Sequence, residues 1–273
     1  MSLSPRGFPV IAAGWPELVD ELDRWQEAGR VATLWWRDDD AVAPSRALER
    51  MSSIAGRVPI ALAAIPAMVQ LELAAWLSHR ARSVPGTRIV VLQHGWRHSN
   101  HSTDSKKSEF PRERSSEDVA FELAAGRIRL TELFGMSALP VLVPPWNRFD
   151  DRFLPLLARS GLRAISRTKP RITSQPALGI VQANIHVDLV AWARGRDFIG
   201  EETALSNLIA HLRARRLGLA CADEPTGILT HHLVQDEPTD KFLYRLLDLT
   251  GAHIAALWLD PVEIFVPVSL LSA

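Results

Sequence analysis

The sequence predicts a parallel α/β barrel built from seven or eight strand–helix units. Short apolar runs recur along the 273-residue chain, each followed by a stretch whose apolar positions have helical spacing, the rhythm of a parallel α/β architecture. No Gly-rich phosphate loop follows any of these runs, which weakens nucleotide-binding readings. The unusual polar residues, Asp and His above all, fall at or just past the C-terminal ends of the predicted strands. In parallel barrels those ends converge on one rim, where active sites are built. An open doubly wound sheet is the alternative.

Leu18, Leu22 and Trp25 have helical spacing over 16–29, with Pro16 in the first turn and Gly29 near the end. Val31 to Trp36 reads as a strand that runs into Arg37-Asp38-Asp39-Asp40. A helix near 44–55 closes at Gly56, and Val58 to Ile65 is a strand ended by Pro66. A helix over 67–82 and a turn at Val84-Pro85-Gly86 lead to the strand Ile89 to Leu92 and to His94-Gly95-Trp96-Arg97-His98. Residues 99–115 are polar with little periodicity and form the longest candidate loop. Ser115, three residues before Asp118, opens a helix running to Phe134. Leu139 to Val143 is a strand ending in Pro144-Pro145-Trp146-Asn147-Arg148. A helix over 150–160, a strand over 162–166 and a Pro-punctuated loop precede the strand Ile180 to Val187, which leads to Asp188. A helix near 202–217, the strand Gly227 to Leu233, a helix near 239–249 and the strand Ile254 to Leu259 complete the order. With no internal repeat and no composition shift, residues 1–273 are expected to form a single domain.

Apolar residues make up 47% of the chain and charged residues 23%, as in an ordinary soluble globular protein. Lys plus Arg and Asp plus Glu both number 31, so the net charge is zero and exerts no global pull toward nucleic acid. Cys221 is the single cysteine, which excludes an intrachain disulfide and a Cys-rich zinc site. Met1 to Arg6 lacks the basic-then-apolar pattern of a secretory signal. No apolar run approaches the roughly 20 residues that span a bilayer. The expectation is a cytoplasmic protein without a membrane partner; the oligomeric state is unread.

His94 and His98, four residues apart after a buried strand, can turn toward one point if the first turn beyond it is helical. Such a pair suits a divalent cation such as zinc, which needs at least one more protein ligand. Three consecutive carboxylates beside an apolar strand repel one another unless a cation or an Arg compensates, and a metal near Asp38 and Asp39 would do so. Asp40 reads as a helix cap or turn former. His231 and His232 are successive residues that point to opposite faces of a strand, so at most one should face the rim. Trp35, Trp36, Trp96, Trp146 and Trp192 flank these motifs, as sugar platforms or as core.

Together these motifs resemble the polysaccharide deacetylase family, also called carbohydrate esterase family four. Trp36-Arg37-Asp38-Asp39-Asp40 resembles its Thr-Phe-Asp-Asp-Gly motif, which implies Asp38 as general base and Asp39 as a metal ligand. His94 and His98 match its His-x-x-x-His motif as the other two ligands. Pro144-Pro145-Trp146-Asn147 resembles the Pro-Pro-aromatic core of the third motif, where a backbone N–H beside the aromatic residue helps hold the oxyanion; Pro145, Trp146, Asn147 and Arg148 are the implied substrate residues. Asp188 and Trp192 resemble the fourth motif, whose Asp orients the catalytic His, and Trp192 joins the substrate set. Leu229-Thr230-His231 resembles Leu-x-His and implies His231 as general acid. Motif order agrees over about residues 31–233, and the implied fold is a distorted (β/α) barrel with about seven strands.

Three departures stand out. Val143 occupies the position of the third motif's Arg, which Arg148 or Arg37 would have to replace. Asp40 replaces the Gly of the first motif, and Gly95-Trp96 follows His94 where the family has a hydroxyl residue first. The implied activity is metal-dependent removal of an acyl group, usually acetyl, from an N-acylated sugar or related amide. The implied cofactor is zinc, with cobalt, nickel or iron as alternatives, and the implied partner is a small molecule or oligosaccharide. The competing readings are a catalytically inactive metal- or carbohydrate-binding protein of this fold and a metal-dependent phosphoesterase.

Overall fold

Short, nearly continuous apolar runs, buried on both faces, give the chain its central sheet. The computed structural model describes residues 13–84, 86 and 88–266; Met1 to Arg6 and Pro85 of the expected turn lie outside the described residues. The elements run α1 (Trp15–Glu27), β1 (Ala32–Ala41), α2 (Arg46–Ala55), β2 (Ile60–Ala64), α3 (Leu71–Ser83), β3 (Ile89–His94), α4 (Ser116–Phe134), β4 (Ala138–Val143), α5 (Leu154–Arg159) and β5 (Ala164–Ile165). They continue with β6 (Val181–Gln182), β7 (Ile185–Asp188), α6 (Glu201–Arg216), β8 (Thr226–Thr230), α7 (Glu237–Ala252), β9 (Ala256–Trp258) and α8 (Pro261–Phe265).

The sheet order is β6-β5-β4-β3-β2-β1-β8-β7, with β9 paired to β1, and every ladder is parallel. Beyond β5, Lys169 N–H donates to the Ile185 carbonyl and Ile185 N–H to that of Arg167. These bonds bring the two ends of the curled sheet together, so the architecture is the expected distorted (β/α) barrel. One face of the strands carries Leu34, Trp36, Leu62, Val187 and Ile228, packed with Leu18, Met51, Leu205 and Leu243 of the helices. The other carries Trp35, Ala61, Ala63, Leu92, Val143 and Leu229. Phe265 of α8 meets Trp35 edge-on at 5.3 Å. Among the described residues, no helix is long and apolar enough to cross a membrane.

Local chemistry moved several boundaries. The helix expected from residue 67 starts at Leu71, because 67–70 form a turn in which Ala67 N–H donates to the Trp96 carbonyl. The strand expected over 180–187 divides into β6 and β7, since Asn184 N–H turns aside to the Glu224 carboxylate. β8 stops at Thr230, so His231 and His232 stand past the strand. β1 continues through all three carboxylates to Ala41.

Candidate active site

A bulge in β1 decides which carboxylates face the rim. Asp38 pairs with Leu62 and Ala41 with Ala64, so three steps on β1 match two on β2. Asp40 has φ of 72°, a left-handed conformation that Asp tolerates better than most residues. Strict alternation would send Asp38 and Asp40 to the same face; the bulge re-aims Asp40 beside Asp39.

Asp38, expected as general base, lies on the face packed against α2. One of its oxygens accepts from Thr230 Oγ1 at 2.6 Å and from His232 N–H at 2.9 Å. The other meets His232 Nδ1 at 2.5 Å. Trp36 Nε1 also donates to Thr230 Oγ1, and Met51 of α2 lies 3.6 Å from it. Both Asp38 and His232 are buried. Burial pushes the His232 imidazole down, but the Asp38 carboxylate raises it above its ordinary value. These residues form a tie between β1 and β8, turned away from the rim.

Asp39, expected as a metal ligand, is instead clasped by Arg37. The guanidinium reaches its two oxygens at 2.8 and 2.9 Å, and also binds Asn147 Oδ1 at 2.7 Å and Ser166 Oγ at 2.8 Å. Arg37 is thus the cation beside the rim carboxylate where Val143 offers none, and Arg148 is not: its guanidinium braces the carbonyl of Lys107.

Asp40, read from sequence as a cap or turn former, is the carboxylate that joins the histidines. Its Oδ1 lies 3.1 Å from His94 Nε2 and 3.4 Å from His98 Nε2. That oxygen is buried without a conventional hydrogen bond. His94 Nδ1–H donates to the Val143 carbonyl at 3.0 Å, which leaves the Nε2 lone pair of the neutral ring for a cation shared with Asp40. A ligating His usually has this arrangement, so the donor set fits a divalent metal. Burial raises the Asp40 carboxyl, but the close contact and charge of His94, with the charges of His231 and His98, hold it well below the usual carboxylate range. Burial lowers His94, and the charges of Asp39 and Asp40 outweigh it and raise the ring. Burial and the His94 charge lower His98.

The rest of the rim comes from four segments. Trp146 lies 4.3 Å from His98 between ring centroids. His98, Trp146 and Asn147 have φ of 57°, 55° and 56°. With Asp40 they make up four of the six non-glycine residues of positive φ among those described, and such backbone strain gathers at functional sites. Pro145 is buried and stands against Gly95. Asp188 accepts from Val190 N–H at 3.0 Å and from Trp192 Nε1 at 2.8 Å. Burial raises its carboxyl, and the charge of His231 opposes that rise. Trp192 meets the His231 ring edge-on at 4.7 Å. His231 Nδ1 is buried without a hydrogen bond, so here Asp188 acts on His231 through charge and through Trp192. Sequence reasoning overlooked Glu109, a fully buried carboxylate that accepts three backbone N–H groups from the loop around His98.

His186, His211 and Glu224 form a second, fully buried group of potential ligands. The Gly227 N–H donates to His186 Nδ1 at 3.0 Å, so Nε2 carries the ring proton and faces Glu224 at 3.5 Å. The His186 and His211 rings stack face to face at 3.4 Å and 13°. These contacts make a hydrogen-bonded core network rather than a metal centre.

No family model matches the sequence, and no curated protein matches it. Solved structures do. A Mycobacterium smegmatis protein assigned provisionally as a polysaccharide deacetylase superposes with a TM-score of 0.60 at 15% identity, covering 99% of this chain and 96% of its own. A Streptococcus mutans carbohydrate esterase of family four gives 0.51 at 14% identity, over 87% and 90%. The chitin deacetylase of Colletotrichum lindemuthianum gives 0.50 at 14% identity, over 88% and 89%. The chain has the polysaccharide deacetylase fold; at these identities the likeness speaks for fold alone.

Proposed function

We propose that the protein is a metal-dependent hydrolase that removes an acyl group, acetyl in the first instance, from the nitrogen of a sugar or oligosaccharide. The observation that carries this reading is the Asp40–His94–His98 group beside the Arg37-clasped Asp39. Asp40, His94 and His98 would hold the metal, for which zinc, cobalt, nickel and iron all suit the donors. When bound, such a cation supplies Lewis acidity to the acyl oxygen and the attacking water.

Asp39 takes the water proton as the oxygen attacks the acyl carbon, with Arg37 fixing its orientation. The backbone N–H of Trp146 itself would donate to the developing oxyanion, since Pro145 has no N–H and that of Asn147 is taken by the Pro144 carbonyl. His231 gives its proton to the leaving nitrogen as the C–N bond breaks. Asp188 and Trp192 keep that ring in place, and the products are a carboxylic acid and the free amine. The names of the superposed proteins support the reaction class, and Trp146 and Trp192 support a sugar ring as the bearer of the acyl group.

The test is release of acetate from acetylated chitooligosaccharides by the cobalt- or zinc-loaded protein. Turnover in the wild type, abolished in Asp39→Asn with metal retained, is the expected result. Absence of hydrolysis across a panel of acylated amines by fully loaded protein would overturn the proposal.

A further inference from the structure

We infer that Glu109 is a positioning residue that sets His98 for metal binding, a role that rests on reading Asp40, His94 and His98 as the ligands. His94 needs no such help, because it ends β3 and its Nδ1–H is held by the Val143 carbonyl. His98 lies four residues further on, outside any helix or strand, in a left-handed conformation with φ of 57°. Something must hold it there.

Glu109 supplies the restraint. Its Oε1 accepts from Arg97 N–H at 2.9 Å and from Ser99 N–H at 3.3 Å, the residues on either side of His98. Its Oε2 accepts from Trp96 N–H at 3.0 Å. The loop curls so tightly round the carboxylate that a Cβ on Gly95 would fall 1.8 Å from Oε2 and 2.7 Å from Pro145. Gly95, with φ of 60°, is thus required by both conformation and space. The carboxylate is itself anchored: the neighbouring Phe110 is fully buried and meets Phe149 at 5.4 Å. The turn before it is closed by His101 N–H donating to the Ser108 carbonyl and Ser108 N–H to Asn100 Oδ1. The long polar segment after His98 therefore returns as a brace for that histidine.

The test is cobalt(II) affinity of the whole protein in a double-mutant cycle joining Glu109→Gln with His98→Ala. An amide at Glu109 sets an NH2 against a backbone N–H, so at least one bond is lost. Affinity should fall about 10–100-fold, as for other groups that orient a ligand, and Glu109→Asp should recover part of it. In the His98→Ala background, Glu109→Gln should weaken affinity no further, an outcome that general loss of structure would not give. Wild-type affinity in Glu109→Gln, or an equal loss in both backgrounds, would overturn the role while leaving the ligand set standing. A wild type that binds no cobalt would remove ligand set and role together. If Glu109→Gln fails to fold, Glu109→Asp and Gly95→Ala, which disturb the same contact from its two sides, carry the cycle with the same criteria.

Discussion

His94 Nδ1–H donates to the carbonyl oxygen of Val143 at 3.0 Å, whereas His186 Nδ1 accepts from the N–H of Gly227 at the same distance. The two rings are both buried and both lie near a carboxylate, yet these single bonds give them opposite tautomers. The first offers an Nε2 lone pair and the second an Nε2–H. Metal titration of His186→Gln should therefore match the wild type, while His94→Gln should lose binding, read by mass spectrometry of the dialysed proteins.

Asp38 and His232 predict a pH-dependent contribution to stability. The folded His232 pKa is raised above its ordinary value of about 6.5. Protons are then bound more tightly in the folded state, so the contribution is complete below about pH 6.5 and is lost as pH rises through the folded value. Urea unfolding of wild type and His232→Gln should show a gap that narrows toward alkaline pH. Asp38→Ala should cost about 1–3 kcal/mol for each buried donor it leaves unsatisfied, namely Thr230 Oγ1–H, the His232 N–H and the His232 ring.

Arg37 is expected to matter for turnover more than for metal binding. Arg37→Lys keeps a charge but cannot span Asp39, Asn147 and Ser166 together. Its kcat should fall at least tenfold with cobalt affinity within about threefold of wild type, the tenfold corresponding to about 1.4 kcal/mol in the barrier. Equal activity would show that Asp39 does not depend on the guanidinium.

Trp192→Phe keeps an aromatic edge near His231 but removes the Nε1–H that Asp188 accepts at 2.8 Å. A hydrogen bond to a charged group contributes about 1.5–3 kcal/mol, and partial exposure of this indole places the effect at the low end. A fall in kcat of about tenfold is expected, with KM for metal-loaded protein nearly unchanged.

The barrel was legible because its signals are local. Apolar runs at regular spacing, the Ser115 cap that accepts from Asp118 N–H and the Asp and His residues at strand ends all appear in a linear reading. Both metal-spaced histidines and the rim residues His231, Asp188 and Trp192 were visible for the same reason. The register of the three carboxylates was not. A left-handed residue at Asp40 inserts one extra step into β1, and no propensity rule marks Asp40 rather than Asp39 for that conformation. Matching the carboxylates to a two-Asp motif from its first member therefore assigned Asp38 to a rim it does not face. Glu109 was hidden for another reason: it lies in a polar segment without periodicity, and its three donors come from backbone that any side chains could provide.

Cobalt(II) titration of Asp38→Asn, Asp39→Asn and Asp40→Asn, side by side with wild type, tests the reassigned rim most directly. The arrangement predicts about one ion per chain in wild type and in the first two variants, with affinity lost in Asp40→Asn alone. Retained binding in Asp40→Asn together with loss in Asp39→Asn would contradict it and restore Asp39 as the ligand.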